Sequence, residues 1–451
     1  MPAAVTRTFL VWRRRLKKIL FAVVPAVVLL VGATVVLRGL EEKEVIDTHR
    51  PDDVVISHPG SQLKIVEENG KRYFDYYPPG MIRMHLPVDK EPNTWRAIVA
   101  GGSFAMGSPY VHQEPASAMT GMGGIPDWLG AELAVRFPGK QIQVVNAGAG
   151  GQNASRVANV VKDLLDIQPD LVIVATGNNE GYVPATPFND ELHDWIVYRA
   201  MKKVLIGRPP PAQRSYFTPQ DDDTQEIVRR YHQAIQSIVG DTKAGGVPLM
   251  LCTLPINLHY VKTVQTHGQP IPYPTDDRDM MEGNRLLNEH KYEEAIEAYS
   301  KSENQAYAAR FIAYALERLE RYDEARDFYK IYVEHNPNNR MRPSFNEYLR
   351  QLAASEPSVH LTDLEKAMED ISEHGIPGYE HFLDYCHLDW KAYWEMSKVV
   401  VDRILQDKLI RGGPGEPKDR PTVGSLILDN RWDVLMSSKT AIEERKFRGA
   451  N

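Results

Sequence analysis

The stretch RAIVAGGSFAMG, residues 96–107, decides the fold. A short run that is apolar on both faces breaks abruptly into two glycines and a serine. Such a run suits a strand buried inside a parallel sheet, because neither face of that strand meets water. Four more runs of the same kind follow: IQVVNA (142–147), DLVIVAT (170–176), PLMLCTL (248–254) and, more weakly, SVHL (358–361). Amphipathic segments lie between them. Helices fit 125–137, 224–239 and 388–405, and a further helix capped by Ser155 carries Val157, Val160, Val161, Leu164 and Leu165 on one face. Strands alternating with helices give an α/β fold, a three-layer, doubly wound, five-stranded parallel sheet of flavodoxin-like type.

One long helical stretch interrupts the alternation, at 278–345. Within it HKYEEAIEAYSKS (290–302) echoes ERYDEARDFYKIY (320–332), so that Tyr292, Ala295 and Tyr299 recur as Tyr322, Ala325 and Tyr329. Small and aromatic residues at those offsets let two antiparallel helices pack closely. With Pro337 the pattern resembles tetratricopeptide repeats, although its period is 30 and about two units are visible. The resemblance implies a partner-binding groove; a helical hairpin that merely extends the sheet domain is the alternative. The expected parts are a basic segment at 1–18, an anchor at 19–37 and a connecting segment at 38–94. The sheet domain follows in two pieces, 95–277 and 346–407, around the helical insert, and 408–451 is a tail. In the connecting segment, QLKIVEE and KRYFDYY flank Asn69-Gly70, the two-residue signal of a tight hairpin.

The chain has 451 residues, 43% apolar and 25% charged, which excludes a disordered or fibrous protein. Residues 1–18 hold six basic groups and no acid, leaving 47 basic against 60 acidic groups in the other 433. A body so acidic repels phosphate backbones, so no nucleic-acid partner is expected. The basic run abuts ILFAVVPAVVLLVGATVVL, 19 uncharged residues that as a helix cover about 28 Å, close to a hydrocarbon core of about 30 Å. Without a small-x-small cleavage site after it, this reads as an uncleaved anchor, a transmembrane helix, with a cleaved signal peptide as the competing reading. The positive-inside rule puts the N-terminus in the cytoplasm and the body outside it, on the periplasmic side where the cell has two membranes. Two cysteines, Cys252 and Cys386, make no disulfide framework and read as separate buried thiols, with one bridge as the alternative. No His/Cys spacing of the zinc type is present, so no metal is expected.

The chemistry-bearing residues gather after the strands. Ser103 follows the first strand, flanked by glycines. The second strand ends in NAGAGGQNAS (146–155), whose glycines at 148, 150 and 151 do not match a dinucleotide fingerprint. The third ends in TGNNEG (176–181), and LDYCHLDW (383–390) sets Asp384 three residues before His387. Each motif alone is weak. Together they supply a nucleophile, a base with an orienting carboxylate, and donors for an oxyanion, all at the carboxyl edge where such sheets bind ligands.

In that order the blocks resemble the SGNH/GDSL hydrolase family: Gly102-Ser103 with Gly107, Asn146-x-Gly148-x-x-Gly151, Gly177-x-Asn179 and Asp384-x-x-His387. The resemblance spans about 95–405 without the insert. It implies Ser103 as nucleophile, His387 as general base and then acid, and Asp384 as its orienter. It also implies an oxyanion hole of the Ser103 and Gly151 N–H groups with the Asn179 side-chain amide, and no cofactor. Two positions depart from the family: Gly102 and Glu180 stand where it usually has aspartates. The α/β-hydrolase elbow fits less well, since Ala105 replaces its last glycine. The implied activity is that of a serine hydrolase, an esterase acting on acyl, above all O-acetyl, esters of glycans, lipids or small molecules, with the external position favouring envelope or exported glycans. O-acyl transfer to a polysaccharide by the same triad is one alternative, and a non-catalytic envelope scaffold working through the insert is another.

Overall fold

The computed structural model of the protein describes residues 29, 32–37, 55–56, 62–78, 81, 83–110, 123–181, 197, 224–261, 277–337 and 339–412. Val55–Pro184 and Tyr216–Asn451 form one compact unit. In the other, Met1–Val54 with Ala185–Ser215, residues 32–37 are helical and Leu29, Val35 and Val36 stand exposed. Most of the span expected at 19–37 lies outside the described residues, as do most of the long segments at 111–124 and 181–217 and the tail from 413. Among the described residues no helix is long and apolar enough to cross a membrane.

The larger unit opens with a small antiparallel sheet, β1 (Val55–Ile56), β2 (Lys64–Glu68), β3 (Lys71–Tyr76) and β4 (Met84–Pro87), in that order. Glu68 pairs with Lys71, so the loop between β2 and β3 is the expected Asn69-Gly70, with φ of 53° and 73°. Positive φ at both positions matches the right-handed twist of the strands. The outer strands β1 and β4 carry no such signal in the sequence. Phe74, Tyr76, Met81 and Met84 join the main hydrophobic core.

The second sheet is β5 (Thr94–Gly101), β6 (Gln141–Gly148), β7 (Leu171–Ala175), β8 (Leu249–Cys252) and β9 (Val359–Thr362), all parallel, in the order β6-β5-β7-β8-β9. The five apolar runs are its five strands. In β7 and β8 every residue is buried, as the absence of alternation requires. The helices around it are α1 (Ser103–Met106), α2 (Ile125–Arg136), α3 (Ala154–Leu164) and α4 (Thr224–Ala244). The chain steps one way from β5 to β6 and the other way from β6 to β7. Right-handed crossovers therefore put α2 and α3 on opposite faces. The reversal leaves a crevice at the carboxyl ends of β5 and β7, where ligands gather in such sheets.

Helix α3 begins one residue before the expected cap. Its N-cap is Asn153, whose side chain accepts from the Arg156 N–H at 3.1 Å, and not Ser155, which lies inside the first turn. Between β8 and β9 come α5 (Arg278–Asn288), α6 (Tyr292–Tyr299), α7 (Gln305–Arg318), α8 (Tyr322–His335) and α9 (Pro343–Ser355). The echoed residues play equivalent parts: Ala295 and Ala325 are fully buried, and Tyr299 and Tyr329 are buried beside them. Helix α9 runs through residue 345, where the insert was expected to end, and Asn346 on it clamps the end of β8. Its Nδ2 donates to Leu254 O and its Oδ1 accepts from Leu254 N, both at 2.9 Å. The fold closes with α10 (Leu364–Ile371) and α11 (Trp390–Gln406). Helix α11 lies against α2, where Trp128 stacks on Trp394 with centroids 5.2 Å apart.

Candidate active site

Strand β5 delivers Ser103 to the crevice. The chain turns at once into the single-turn helix α1, whose first N–H groups have no intrahelical acceptor, and the Ser103 side chain stays half-buried at its start. Asp384 and His387 come from the other end of the chain, on a loop closed on itself. Phe382 and Leu388 form an antiparallel bridge, and the Leu383 N–H donates to His387 O at 2.8 Å. The three side chains form one hydrogen-bonded line. His387 Nδ1 lies 2.7 Å from Asp384 Oδ2, and His387 Nε2 lies 2.7 Å from Ser103 Oγ. The other carboxylate oxygen, Oδ1, accepts from the backbone N–H groups of Cys386 and His387 at 2.9 and 2.8 Å.

The electrostatics follow from that line. Burial raises the cost of a charge on Asp384, but the His387 ring and the two backbone donors outweigh it and hold the carboxyl below its ordinary range. Burial likewise opposes an imidazolium, yet the Asp384 carboxylate keeps His387 well above the ordinary histidine value. Burial pushes the neighbouring Cys386 thiol upward, so it remains protonated near neutrality and adds no charge of its own. Both cysteines are free and buried. Asp384, Cys386 and His387 hold their ligating atoms within 4.8 Å of one another, but the carboxylate and the imidazole are committed to each other.

The glycine and asparagine blocks frame the serine. Asn146 on β6 donates to Met106 O at 2.9 Å and accepts from the Gly148 N–H at 3.1 Å, tying β6 to α1. Gly151 follows at φ 69°. The Asn179 amide donates to Gln152 O at 3.1 Å, and a Cβ on Gly102 would stand 2.8 Å from Asn179 Nδ2 and 3.3 Å from Gln152 O. The amide therefore lies directly against the backbone that presents Ser103, and the absence of a side chain at Gly102 is what lets it approach. Glu180 is buried, and its Oε1 accepts from the Ala154 N–H at 2.9 Å. Burial pushes its carboxyl up to about 8, with the Ala154 bond and Arg230 only partly offsetting this.

All five site residues expected from the sequence thus lie at one edge of the sheet, three of them in direct hydrogen-bond succession. The sequence reading missed the residues that hold them. Asn257, after β8, is fully buried and donates through Nδ2 to Asp384 O at 2.7 Å. Arg340, after the insert helices, donates through Nη1 to Asn257 O at 2.7 Å. Tyr110 accepts through its hydroxyl from the Trp390 N–H at 3.0 Å, just past the loop.

Residues 99–279 match the sequence profile of the GDSL-like lipase/acylhydrolase family. No curated protein matches the chain. Among solved structures it is similar to an acetyl-xylooligosaccharide esterase from Geobacillus, at 12% identity over 70% of this chain and 94% of that one, TM-score 0.35. It is also similar to a lipolytic protein of the G-D-S-L family from Desulfitobacterium hafniense, at 13% identity over 68% of this chain and 98% of that one, TM-score 0.32. Residues 99–279 of this chain are a GDSL-like lipase/acylhydrolase domain, and the protein is a serine hydrolase of ester bonds.

Proposed function

We propose that the protein removes O-acyl, chiefly O-acetyl, groups from envelope or exported glycans, with its body outside the cytoplasm. The observation that carries the reading is the continuous line Asp384–His387–Ser103, with both side-chain links at 2.7 Å. Ser103 Oγ attacks the acyl carbonyl and passes its proton to His387 Nε2. The negative charge on the carbonyl oxygen is met by the Ser103 and Gly151 N–H groups and the Asn179 amide. Collapse breaks the ester bond, His387 returns the proton to the departing sugar oxygen, and the acyl group stays on Ser103. Water, deprotonated by His387, then attacks the acyl carbon; the bond to Ser103 Oγ breaks, His387 gives the proton back to that oxygen, and the acid leaves. Asp384 keeps the Nδ1–H tautomer and stabilises the imidazolium without taking its proton.

The location rests on the sequence of the anchor and on the exposure of Leu29, Val35 and Val36, apolar side chains that would face lipid. The full chain should sediment with membranes and need detergent for release; release by salt alone would refute the anchor. For the chemistry, a fluorophosphonate probe should label the wild type and neither Ser103→Ala nor His387→Ala. Acetate should appear in solution when an O-acetylated glycan is supplied. A folded wild type that takes no label refutes the triad, and acetyl appearing on a second sugar without free acetate would make the protein a transferase.

A further inference from the structure

The tyrosines that serve the core of this chain, Tyr231, Tyr299 and Tyr393 among them, are fully buried. Three others among the described residues gather beside the triad and do not serve it. Tyr260 follows β8, Tyr379 precedes the triad loop, and Tyr385 stands between Asp384 and His387. Tyr260 and Tyr385 are half-buried, Tyr379 is 37% exposed, and none of the three packs into the hydrophobic core. A tyrosine carries a large apolar face and a polar tip, and at a catalytic edge it offers both to a substrate.

The placement is continuous with the reacting groups. The Tyr385 ring meets the His387 imidazole edge to face, with centroids 5.7 Å apart, and the Tyr260 ring lies 5.7 Å from that of Tyr385, tilted by 58°. The phenols of Tyr260 and Tyr379 both lie close enough to the Asp384 carboxylate to feel its charge. The three come from separate segments that are bonded together. The Leu258 N–H donates to Pro377 O at 2.9 Å, joining the stretch of Tyr260 to that of Tyr379, and Asn257 joins it to the triad loop through Asp384 O. Beside Tyr379, Gly378 packs so closely on His259 that a Cβ there would stand 2.3 Å from its Nδ1. The buried Arg340 guanidinium lies 5.4 Å from the centre of the Tyr260 ring and steadies it. Side chains fixed in this way lose little freedom when a ligand settles on them.

The sheet order says which part of the substrate these rings meet. The oxyanion donors follow β6, β5 and β7, whereas Tyr260 follows β8 and Tyr385 shares the loop of His387. The acyl carbonyl oxygen turns to those donors, and the departing oxygen turns to His387, which protonates it. Tyr385 therefore belongs with the alcohol half of the ester. We propose that Tyr385, flanked by Tyr379 and buttressed by Tyr260, is a stacking platform for the sugar ring whose ester oxygen receives the proton of His387. The C–H groups on the flat side of a pyranose pack on such a ring, and the phenol tips hydrogen-bond to its hydroxyls. Burial above all pushes the Tyr260 phenol up to about 12, so it remains a donor near neutrality. The inference rests on the deacylase reading and assigns its preference for sugar alcohols to named residues.

The test reads acetate release by the full-length protein from two esters. β-D-Glucose pentaacetate carries an ester at every position and keeps its axial C–H groups open; ethyl acetate has no ring. The quantity measured is the ratio of kcat/KM for the first to that for the second, which general damage to the shared triad chemistry leaves in place. Tyr385→Ala should lower the ratio at least about fivefold, chiefly through KM, while Tyr385→Phe keeps it within about twofold. Should Tyr385→Ala fail to fold, Tyr379→Ala, at the most exposed of the three positions, should lower the ratio at least about twofold. Smaller falls, a Tyr385→Phe as damaging as Tyr385→Ala, or a wild type that favours ethyl acetate overturns the platform. A wild type that hydrolyses neither ester refutes the deacylase reading, and the platform is then judged by binding. Ser103→Ala should bind the pentaacetate saturably, and adding Tyr385→Ala, but not Tyr385→Phe, should weaken that binding at least about fivefold. Absent binding, or binding indifferent to Tyr385→Ala, overturns the platform on its own.

Discussion

Gly102 and Glu180 are the two positions where this chain leaves its family's pattern, and the structure gives each a distinct consequence. At Gly102 the missing side chain makes room for the Asn179 amide, so Gly102→Ala drives a methyl to 2.8 Å from its nitrogen. The expected result is a fall in kcat approaching the 10²–10³ typical of losing one oxyanion donor. Steady-state kinetics on a small acetyl ester measures it, and an unchanged kcat would remove Asn179 from the oxyanion hole. At Glu180 the folded-state value of about 8 lies above the ordinary 4.5. Between those values the folded protein keeps a proton that the unfolded chain has released, so stability falls as pH rises across the window. Glu180→Gln retains the acceptor for Ala154 and abolishes that penalty. Its Tm should match the wild type near about pH 5 and exceed it near about pH 9. The His387 direction gives the converse readout in rate. His387 accepts a proton only when neutral, so kcat/KM should rise with pH through an apparent value above the ordinary histidine value of about 6.5. Asp384→Asn should lower kcat by about 10⁴ and move that limb downward. Ser103, Asn179, Asp384 and His387 were legible because it is their own side chains that carry the hydroxyl, amide, carboxylate and imidazole that meet at the site, and each follows a readable strand. Gln152 and Asn257 were not, because what matters in them is a bond to or from a backbone atom, in the case of Asn257 across 127 positions, which no spacing encodes.

Among the elements, the strands were the most readable, and for a physical reason. A strand covered by helices on both faces must be apolar throughout, so LVIVA and LMLC announce themselves even at five and four residues. Strands β1 and β4 of the small sheet have no such requirement, and only the hairpin turn at Asn69-Gly70 betrayed the sheet. The start of α3 shows the limit of capping rules. Asn153 and Ser155 are both competent caps, and the choice falls to Asn153 because the tight turn after β6 ends there. This cap also fixes how the chain leaves Gly151. Asn153→Ala should therefore cost about 0.5–2 kcal/mol of stability, read from chemical denaturation. It should also lower kcat, since the Gly151 N–H is two residues away on the same turn. Loss of stability with full kcat would detach this turn from the oxyanion hole.

At the scale of the whole molecule, the helical insert is joined to the triad by two consecutive buried bonds. Arg340, at the exit of the insert, donates to Asn257 O, and Asn257 donates to Asp384 O, each at 2.7 Å. Asn346, on the next helix, grips both backbone atoms of Leu254, three residues before Asn257. The segment after β8 is thus held from the insert side and in turn holds the loop that carries Asp384 and His387. Helix α9, strand β9 and helix α10 intervene in sequence between Arg340 and Asp384, yet the insert's exit is bonded to the edge of the sheet where Asp384 and His387 lie. Asn257→Ala cuts the line at its centre and leaves the Asp384 carbonyl without this donor. A neutral hydrogen bond of this kind contributes about 0.5–1.5 kcal/mol, and where that energy orients the triad it appears as up to about a tenfold loss in kcat with little change in KM. Arg340→Lys, which keeps the charge but not the fork, should lower kcat in the same sense, and the double variant should fall short of the product of the two single effects, because both act through one bond chain. Multiplicative losses in the double variant would mean that Arg340 and Asn257 reach the active site separately.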